Sequence, residues 1–521
     1  MRQLTLLEGF ESTVRRYPDR TAVVTPEGRS VTYDELSTRS AALAAALEAR
    51  IPGERCAVLS RNRLAVVEAM LAAARRGRAN VQLATRGAVG ELESSMAAAD
   101  AAGLIYEAAL SDTAGELVDR TAPELTLGID GAGADESYED ALAAAEPGDA
   151  PDAPATDPPE SATFFTSGTT SAPKGILVDQ EQAWLAAMQP ALEMSLQASD
   201  RALVCGPWYH MVTSEAWMLP HLMVGATLVV QPEFDPEASL RALDDYDITG
   251  LLAVPTQLEA LLEAQEDHWV DLGSLDYIRT GGAIVPESLI DRCRETFDAA
   301  IYNTYGLTEG VGNLTFAYPE EQADHPGTIG KSSFLWELRV VEAADPPAKP
   351  DPTATVTPGE LGEIIGRSLQ MTDGYLDRPE ATEALFIDDP AGGDAWLRTG
   401  DVARVDEDRY PVIVDRIDNM IVSGGENVYP AEVERALEGH PGVREAAVVG
   451  VPDETWGEMV AAAVVAADGT AEELEAYCVD HDELADFKRP RQYRFVDELP
   501  RTATGTLQRG EVLEWFDAMP T

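Results

Sequence analysis

Thr166-Ser167-Gly168-Thr169-Thr170-Ser171-Ala172-Pro173-Lys174-Gly175 follows directly on an apolar run, Ala162-Thr163-Phe164-Phe165, that reads as a strand. A loop of hydroxyls, glycines and one lysine suits a polyphosphate. Backbone N–H and side-chain O–H groups donate to phosphate oxygens while the ammonium offsets their charge. It is not a Walker loop, which needs Gly before its lysine and Ser or Thr after it; here Lys174 stands between Pro173 and Gly175. A plain polar surface turn has the same composition, so the surrounding pattern has to decide.

Outward from this loop the chain alternates strands and helices. Short apolar runs recur at Cys56 to Leu59, Thr227 to Val230, Gly250 to Val254 and Tyr277 to Thr280. Between them lie helical stripes: Leu7, Phe10 and Val14 share a face, and Thr32-Tyr33-Asp34-Glu35 offers a capping box for a helix carrying Leu36, Leu43 and Leu47. This predicts an α/β body with largely parallel sheets. Three polar stretches read as loops: about Gly128 to Glu160, expected outside the core, Ala343 to Gly359, and Asp388 to Asp394. A sharper boundary falls near Asp415 to Asn419. Beyond it Tyr429-Pro430-Ala431-Glu432 opens a helix with Val433 and Leu437 on one face, and Ala446 to Val451 is a strand candidate. The prediction is a large multi-sheet N-terminal domain, residues 1–415, and a small α+β C-terminal domain, residues 416–521.

Composition narrows the function classes. With 521 residues, two or more domains are expected. The balance of 38 basic against 92 acidic residues gives a net charge of -54, which repels nucleic acid and anionic membranes. Only Lys174, Lys331, Lys349 and Lys488 are lysines, and the acidic residues are spread over the whole length, as on a halophile's solvated surface. An ordinary acidic cytosolic protein is the alternative. Cys56, Cys205, Cys293 and Cys478 lie far apart with no C-x-x-C pair, so buried free thiols are expected rather than zinc or disulfides. Neither a signal peptide nor a membrane span is found, and a cytoplasmic location is expected. The reading leaves room for a homodimer.

Further motifs follow in order. Gly281-Gly282-Ala283 comes straight after the strand Tyr277 to Thr280; Asn303-Thr304-Tyr305-Gly306-Leu307-Thr308-Glu309, Trp396-Leu397-Arg398-Thr399-Gly400-Asp401, Asp415-Arg416-Ile417-Asp418 and Ser423-Gly424-Gly425-Glu426-Asn427 complete the series. Together with the loop at 166–175 they resemble the adenylate-forming superfamily, in its acyl-CoA synthetase branch, over nearly the whole chain. The resemblance implies that Thr166, Ser167, Gly168, Thr169, Thr170 and Lys174 cradle the phosphates of ATP. It puts Gly281, Gly282 and Ala283 beside adenine, Tyr305 on its face and Asn303 at its edge. Thr308 contacts phosphate and Glu309 helps to hold Mg2+, a hard cation that prefers carboxylate oxygen. Asp401 takes the ribose hydroxyls with help from Arg416, which as a surface ion pair would have no such role. Asp418 becomes a hinge. Gly424, Gly425 and Trp456 line the path of coenzyme A, although Trp456 equally suits core packing. His210, in Pro207-Trp208-Tyr209-His210, is the candidate gate beside the reacting carboxylate; a satisfied core histidine is the alternative. Asp373-Gly374-Tyr375 is assigned to scaffold.

One position departs from the family. In Leu499-Pro500-Arg501-Thr502-Ala503-Thr504-Gly505-Thr506, Thr506 stands where the adenylating lysine is usual. A hydroxyl donates one hydrogen bond but brings no charge to an anionic transition state, a loss of about 100- to 1000-fold in rate. Lys488, Arg501 and Arg509 are the candidate replacement cations, and Ser171 stands where glycine is usual. The expected function is an ATP-dependent, AMP-forming ligase that joins a fatty or aryl acid to coenzyme A. The alternatives are an adenylation enzyme that loads a carrier protein, and an adenylation-impaired binding homologue.

Overall fold

The computed structural model describes residues 5–151, 156–166, 173–344, 348–453, 455–466, 470–481, 484–501 and 507–517. The chain divides into two compact units, one of residues 1–338 and 366–397, the other of residues 339–365 and 398–521.

In the first unit two sheets dominate the described residues, one of nine strands and one of seven. Both have parallel interiors: Arg201–Val204 pairs with Thr227–Val230 and Gly250–Leu252, and Arg55–Leu59 with Asn80–Gln82 and Ala101–Glu107. Their inner strands are largely buried and mostly apolar, as parallel strands covered by helices should be, although Asn80 and Gln82 put buried polar side chains among them. The helix Leu6–Arg16 buries Leu6, Phe10, Thr13 and Val14. Thr32 caps the helix Tyr33–Arg50 by accepting from the Glu35 amide, which is the forward half of the expected box.

Each parallel sheet ends in an antiparallel hairpin that holds residues singled out in the sequence. In the seven-stranded sheet Glu160–Thr166 turns back as Lys174–Asp179, with Thr166 opposite Lys174. In the nine-stranded sheet Ala300–Leu307 turns back as Gly312–Ala317, with Tyr305 opposite Thr315 and Gly306 opposite Asn313.

One expectation is corrected. The stretch from Gly128 to Glu160 does not lie wholly outside the core: within it Ser137 caps the helix Tyr138–Ala144, which buries Tyr138, Ala141 and Leu142. The Tyr138 hydroxyl donates to Glu68 at 2.7 Å. Three inward-facing apolar residues and one satisfied hydroxyl outweigh the polar average of the segment.

In the second unit the helix Pro430–Glu438 lies beside the hairpin of Val443–Asp453 and Gly457–Ala466. Val433 and Leu437 are buried there as their spacing predicts. All four cysteines are buried and free, and burial pushes the Cys56, Cys205 and Cys293 thiols up to about 12.

Candidate active site

The residues flanking the 167–172 loop are fixed by the hairpin; Ser167, Gly168, Thr169, Thr170 and Ser171 lie outside the described residues. Lys174 is half-buried, with its ammonium 5.2 Å from the centre of the Tyr375 ring, within the range of a cation–π contact. The Tyr375 hydroxyl in turn donates to Glu309 Oε1 at 2.6 Å. A backbone bond from Leu376 N to the Gly175 carbonyl holds the Tyr375 segment against this hairpin. A Cβ on Gly175 would come within 2.9 Å of the Phe165 ring, which explains the glycine after the lysine. Tyr375, read from sequence as scaffold, therefore bridges the cation and the carboxylate. Nothing in its local sequence shows this, because the contact is made across the fold.

Glu309 sits in the single turn Thr308–Gly310, pinned by a bond from Thr372 N to its carbonyl. Thr308 is half-buried in the same turn. A half-buried carboxylate held in a turn is a suitable hard donor for Mg2+. Among the described residues no group of three or more His, Cys, Asp or Glu could hold a metal. A carboxylate such as that of Glu309 suits a cation which keeps waters and takes its other oxygens from phosphates.

Between the strands Tyr277–Gly281 and Ala300–Leu307, Thr280 lies opposite Asn303 and Gly281 opposite Thr304. Gly281 has φ +148°, and a Cβ there would approach the Thr304 carbonyl oxygen to 2.1 Å, so only glycine fits. Gly282 and Ala283 are exposed beside it. The Asn303 amide donates to the Thr328 carbonyl at 3.0 Å, and Tyr305 is buried. Asn303 and Thr328 line a cavity of about 190 Å3.

His210 precedes a helical stretch, Met211–Thr213, Ser214–Met218 and Leu219–Val224, whose middle part is a π-turn. Trp208 anchors the approach: its indole donates to the Ser60 carbonyl and its amide to Asn62. The rings of Tyr209 and His210 lie 4.6 Å apart. Burial pushes the His210 imidazole down to about 4, so it is neutral at pH 7, and its Nε2 has no partner among the described residues. Three more residues of this region escaped the sequence reading. Glu215, in the π-turn, is fully buried with both carboxyl oxygens unpartnered among the described residues, and burial pushes it up to about 8. Arg279 and Asn313 are buried on the strands Tyr277–Gly281 and Gly312–Ala317; Arg279 donates to Asn313 Oδ1 and to the carbonyl of Ala216, the residue after Glu215. A single carboxylate inside Met211 to Val224, and a single guanidinium inside the strand Tyr277–Gly281, were the signals available.

In the second unit Asp401 and Arg416 face each other across antiparallel strands, and the guanidinium donates to Asp401 Oδ1 at 3.0 Å. Asp401 is buried while Arg416 is exposed. Asp415 beside them accepts from the amides of Arg416 and Ala431 and from the Asn419 side chain. It thus ties the end of one strand to the start of the helix Pro430–Glu438. Asp418 is exposed in the turn Ile417–Asn419. Gly424 has φ +63°, and a Cβ there would press to 2.9 Å on the Trp456 indole, which is itself 44% exposed rather than packed in a core. Gly425, φ +88°, is open around its Cα.

Thr506 lies outside the described residues. The three cations that could replace a lysine there are each engaged: Lys488 with Glu432 at 2.6 Å, Arg501 with Glu445 at 3.0 Å, and Arg509 with both oxygens of Glu434.

The AMP-binding enzyme pattern matches residues 10–376 and the AMP-binding enzyme C-terminal domain matches residues 432–506. The chain belongs to the AMP-binding enzyme family. It is 36% identical to the feruloyl-CoA synthase of an Amycolatopsis species over 512 residues, covering 96% of this chain and 97% of that one. It is 34% identical to the 2-succinylbenzoate–CoA ligase of a Geobacillus species over 358 residues, 67% of this chain and 68% of that one. Among solved structures, the o-succinylbenzoate-CoA synthetase of Bacillus subtilis with its acyl-adenylate intermediate superposes with a TM-score of 0.83 at 28% identity, covering 98% of each chain. This AMP-binding enzyme is accordingly an ATP-dependent acid–CoA ligase. It activates a carboxylic acid to an acyl-adenylate and passes the acyl group to coenzyme A; ATP and coenzyme A are its co-substrates, with Mg2+ typical of the family. No helix among the described residues is long and apolar enough to cross a membrane.

Proposed function

We propose the following assignment of roles, with an aryl acid as substrate. The 166–170 loop and Lys174 hold the polyphosphate, Gly281, Gly282, Ala283, Asn303 and Tyr305 hold adenine, Asp401 and Arg416 hold ribose, Thr308 contacts phosphate and Glu309 ligates Mg2+. When bound, the metal neutralises phosphate charge; the residues orient the nucleotide around it. The acid's carboxylate attacks the α-phosphorus and pyrophosphate leaves. The coenzyme A sulfur then attacks the acyl carbonyl and AMP leaves. His210, neutral and apolar-walled, keeps water from the mixed anhydride. Gly424, Gly425 and Trp456 take the pantetheine arm, and Asp418 is the hinge about which residues 416–521 move against residues 1–415 between the two half-reactions.

The observation that carries this reading is the link from Lys174 through Tyr375 to Glu309, which unites two motifs far apart in the chain. Relatives named for feruloyl-CoA and 2-succinylbenzoate–CoA synthesis support an aryl acid over a fatty acid. The acidic surface is read as a halophile's, the location as cytoplasmic, where ATP and coenzyme A are abundant, and a nucleic-acid partner is opposed by the net charge of -54. A light-scattering mass in high salt separates monomer from homodimer.

The test is AMP and thioester formation in high salt with Mg2+, ATP, coenzyme A and a panel of aryl and fatty acids, beside Thr506→Lys. Because Lys488, Arg501 and Arg509 are tied to glutamates, Thr506→Lys is expected to raise the adenylation rate about 100- to 1000-fold. No increase would show that the charge comes from elsewhere. Turnover of fatty acids alone would overturn the aryl assignment.

A further inference from the structure

Around Asn313 the first unit buries several polar atoms that have no partner among the described residues. The Gln189 amide donates to the Asn313 carbonyl at 2.9 Å, and the Gln370 amide donates to the carbonyls of Gly310 and Val311 at 3.3 Å each, yet the side-chain oxygens of both glutamines are unpartnered among the described residues. So are Asn313 Nδ2 and both carboxyl oxygens of Glu215. All four side chains are at most 3% exposed. Each such group left unmatched costs free energy, and a buried cluster of them points to a ligand with polar atoms of its own.

Arg279 ties the cluster together. Its guanidinium donates to Asn313 Oδ1, to the Ala216 carbonyl next to Glu215, and to Thr304 Oγ1 at 3.2 Å. The Glu215 turn and the Asn313 side chain are thereby fixed about one group. The cluster is also joined to the reacting end of the site: Gln370 bonds the turn that carries Glu309, Asn313 pairs with Gly306 in the same hairpin, and Glu215 follows His210 on one helical stretch. The π-turn at Ser214–Met218 is the kind of local irregularity that proteins place at functional sites.

We propose that Glu215 and Asn313 are specificity-determining residues that read an uncharged hydroxyl on the acid substrate, remote from its reacting carboxylate. This rests on the ligase reading above. The hydroxyl donates to a Glu215 oxygen and accepts from Asn313 Nδ2, using the two kinds of unpartnered atom at once. A substrate ammonium is opposed by the fully buried Arg279 charge, and a second carboxylate by the lone pairs of Glu215, Gln189 and Gln370. An alkyl chain satisfies none of them. Burial, which holds Glu215 protonated at neutral pH, also lets it donate to a neighbouring ether or carbonyl oxygen.

Selectivity between 4-hydroxybenzoate and benzoate, and between 4-hydroxycinnamate and cinnamate, tests this in the full chain. It is read as kcat/KM for AMP formation and, without turnover, as the Kd of the corresponding acyl-sulfamoyl-adenosines. The hydroxylated member of at least one pair should be preferred about 10- to 100-fold, the cost of one unmade buried hydrogen bond. Glu215→Ile should bring that ratio close to 1, Asn313→Leu should lower it several-fold, and Glu215→Gln, which keeps shape and hydrogen bonding if the Ile variant fails to fold, should preserve most of it. Binding of all analogues without discrimination, or a ratio unmoved by Glu215→Ile and Asn313→Leu, overturns the pocket and leaves the ligase reading intact. Failure of every analogue to bind overturns both.

Discussion

The turns that hold Glu309 and Glu215 place the same side chain in opposite settings. Glu309 is half-buried, its oxygen bonded to Tyr375 and its neighbourhood supplied with the Lys174 ammonium. Glu215 is fully enclosed, bonded to nothing among the described residues, and held protonated at neutral pH by burial. The first accepts a hydrogen bond at the surface of its turn and is placed to meet cations. The second is built as a neutral hydrogen-bonding group. The difference shows how one fold assigns two chemistries to one residue type through solvation and partners alone.

The strongest way to break the comparison is Glu309→Gln. It should lower AMP formation about 1000-fold, with AMP binding little changed, because charge at the metal is lost while adenine and ribose contacts remain. A loss confined to AMP affinity would remove Glu309 from the metal.

Glu215→Gln sharpens the other half. Burial raises the folded-state value of Glu215 to about 8, whereas the unfolded chain ionises near the ordinary 4.5. Between these values the native state binds more protons than the unfolded state, so this group lowers stability as pH rises from about 4.5 to 8. The slope is at most about 1.4 kcal/mol per pH unit, and the loss is constant above that window. Melts of the wild type and Glu215→Gln should therefore diverge with rising pH, in favour of the variant. Parallel curves would mean that Glu215 is ionised in the native state.

Tyr375→Phe is the smallest change. It removes the bond to Glu309 but keeps the ring over Lys174, so kcat should fall about 5- to 10-fold with KM for the acid unchanged. An unaltered kcat would return Tyr375 to scaffold.

Much of this is legible in the sequence. The strand runs at 56–59, 227–230 and 277–280 are strands, Val433 and Leu437 do face a core, and the glycine at 281 stands where a Cβ cannot. These are local consequences of periodicity and φ. The segment 128–160 misled because its acidic average hid three inward residues on Tyr138–Ala144. Tyr375 was missed because its partners lie on two other hairpins. The Lys488, Arg501 and Arg509 pairs were equally hidden, each with a glutamate remote in sequence.

The sequence by itself determined the family, the order of its motifs and the departure at Thr506, because those are matters of residue identity and spacing along one chain. Only the tertiary structure decided which groups are charged, paired or left wanting a partner. Solvation and hydrogen bonding depend on what the fold brings within 3 Å, and for Glu215, Arg279 and Asn313 those neighbours come from strands and turns far apart in sequence.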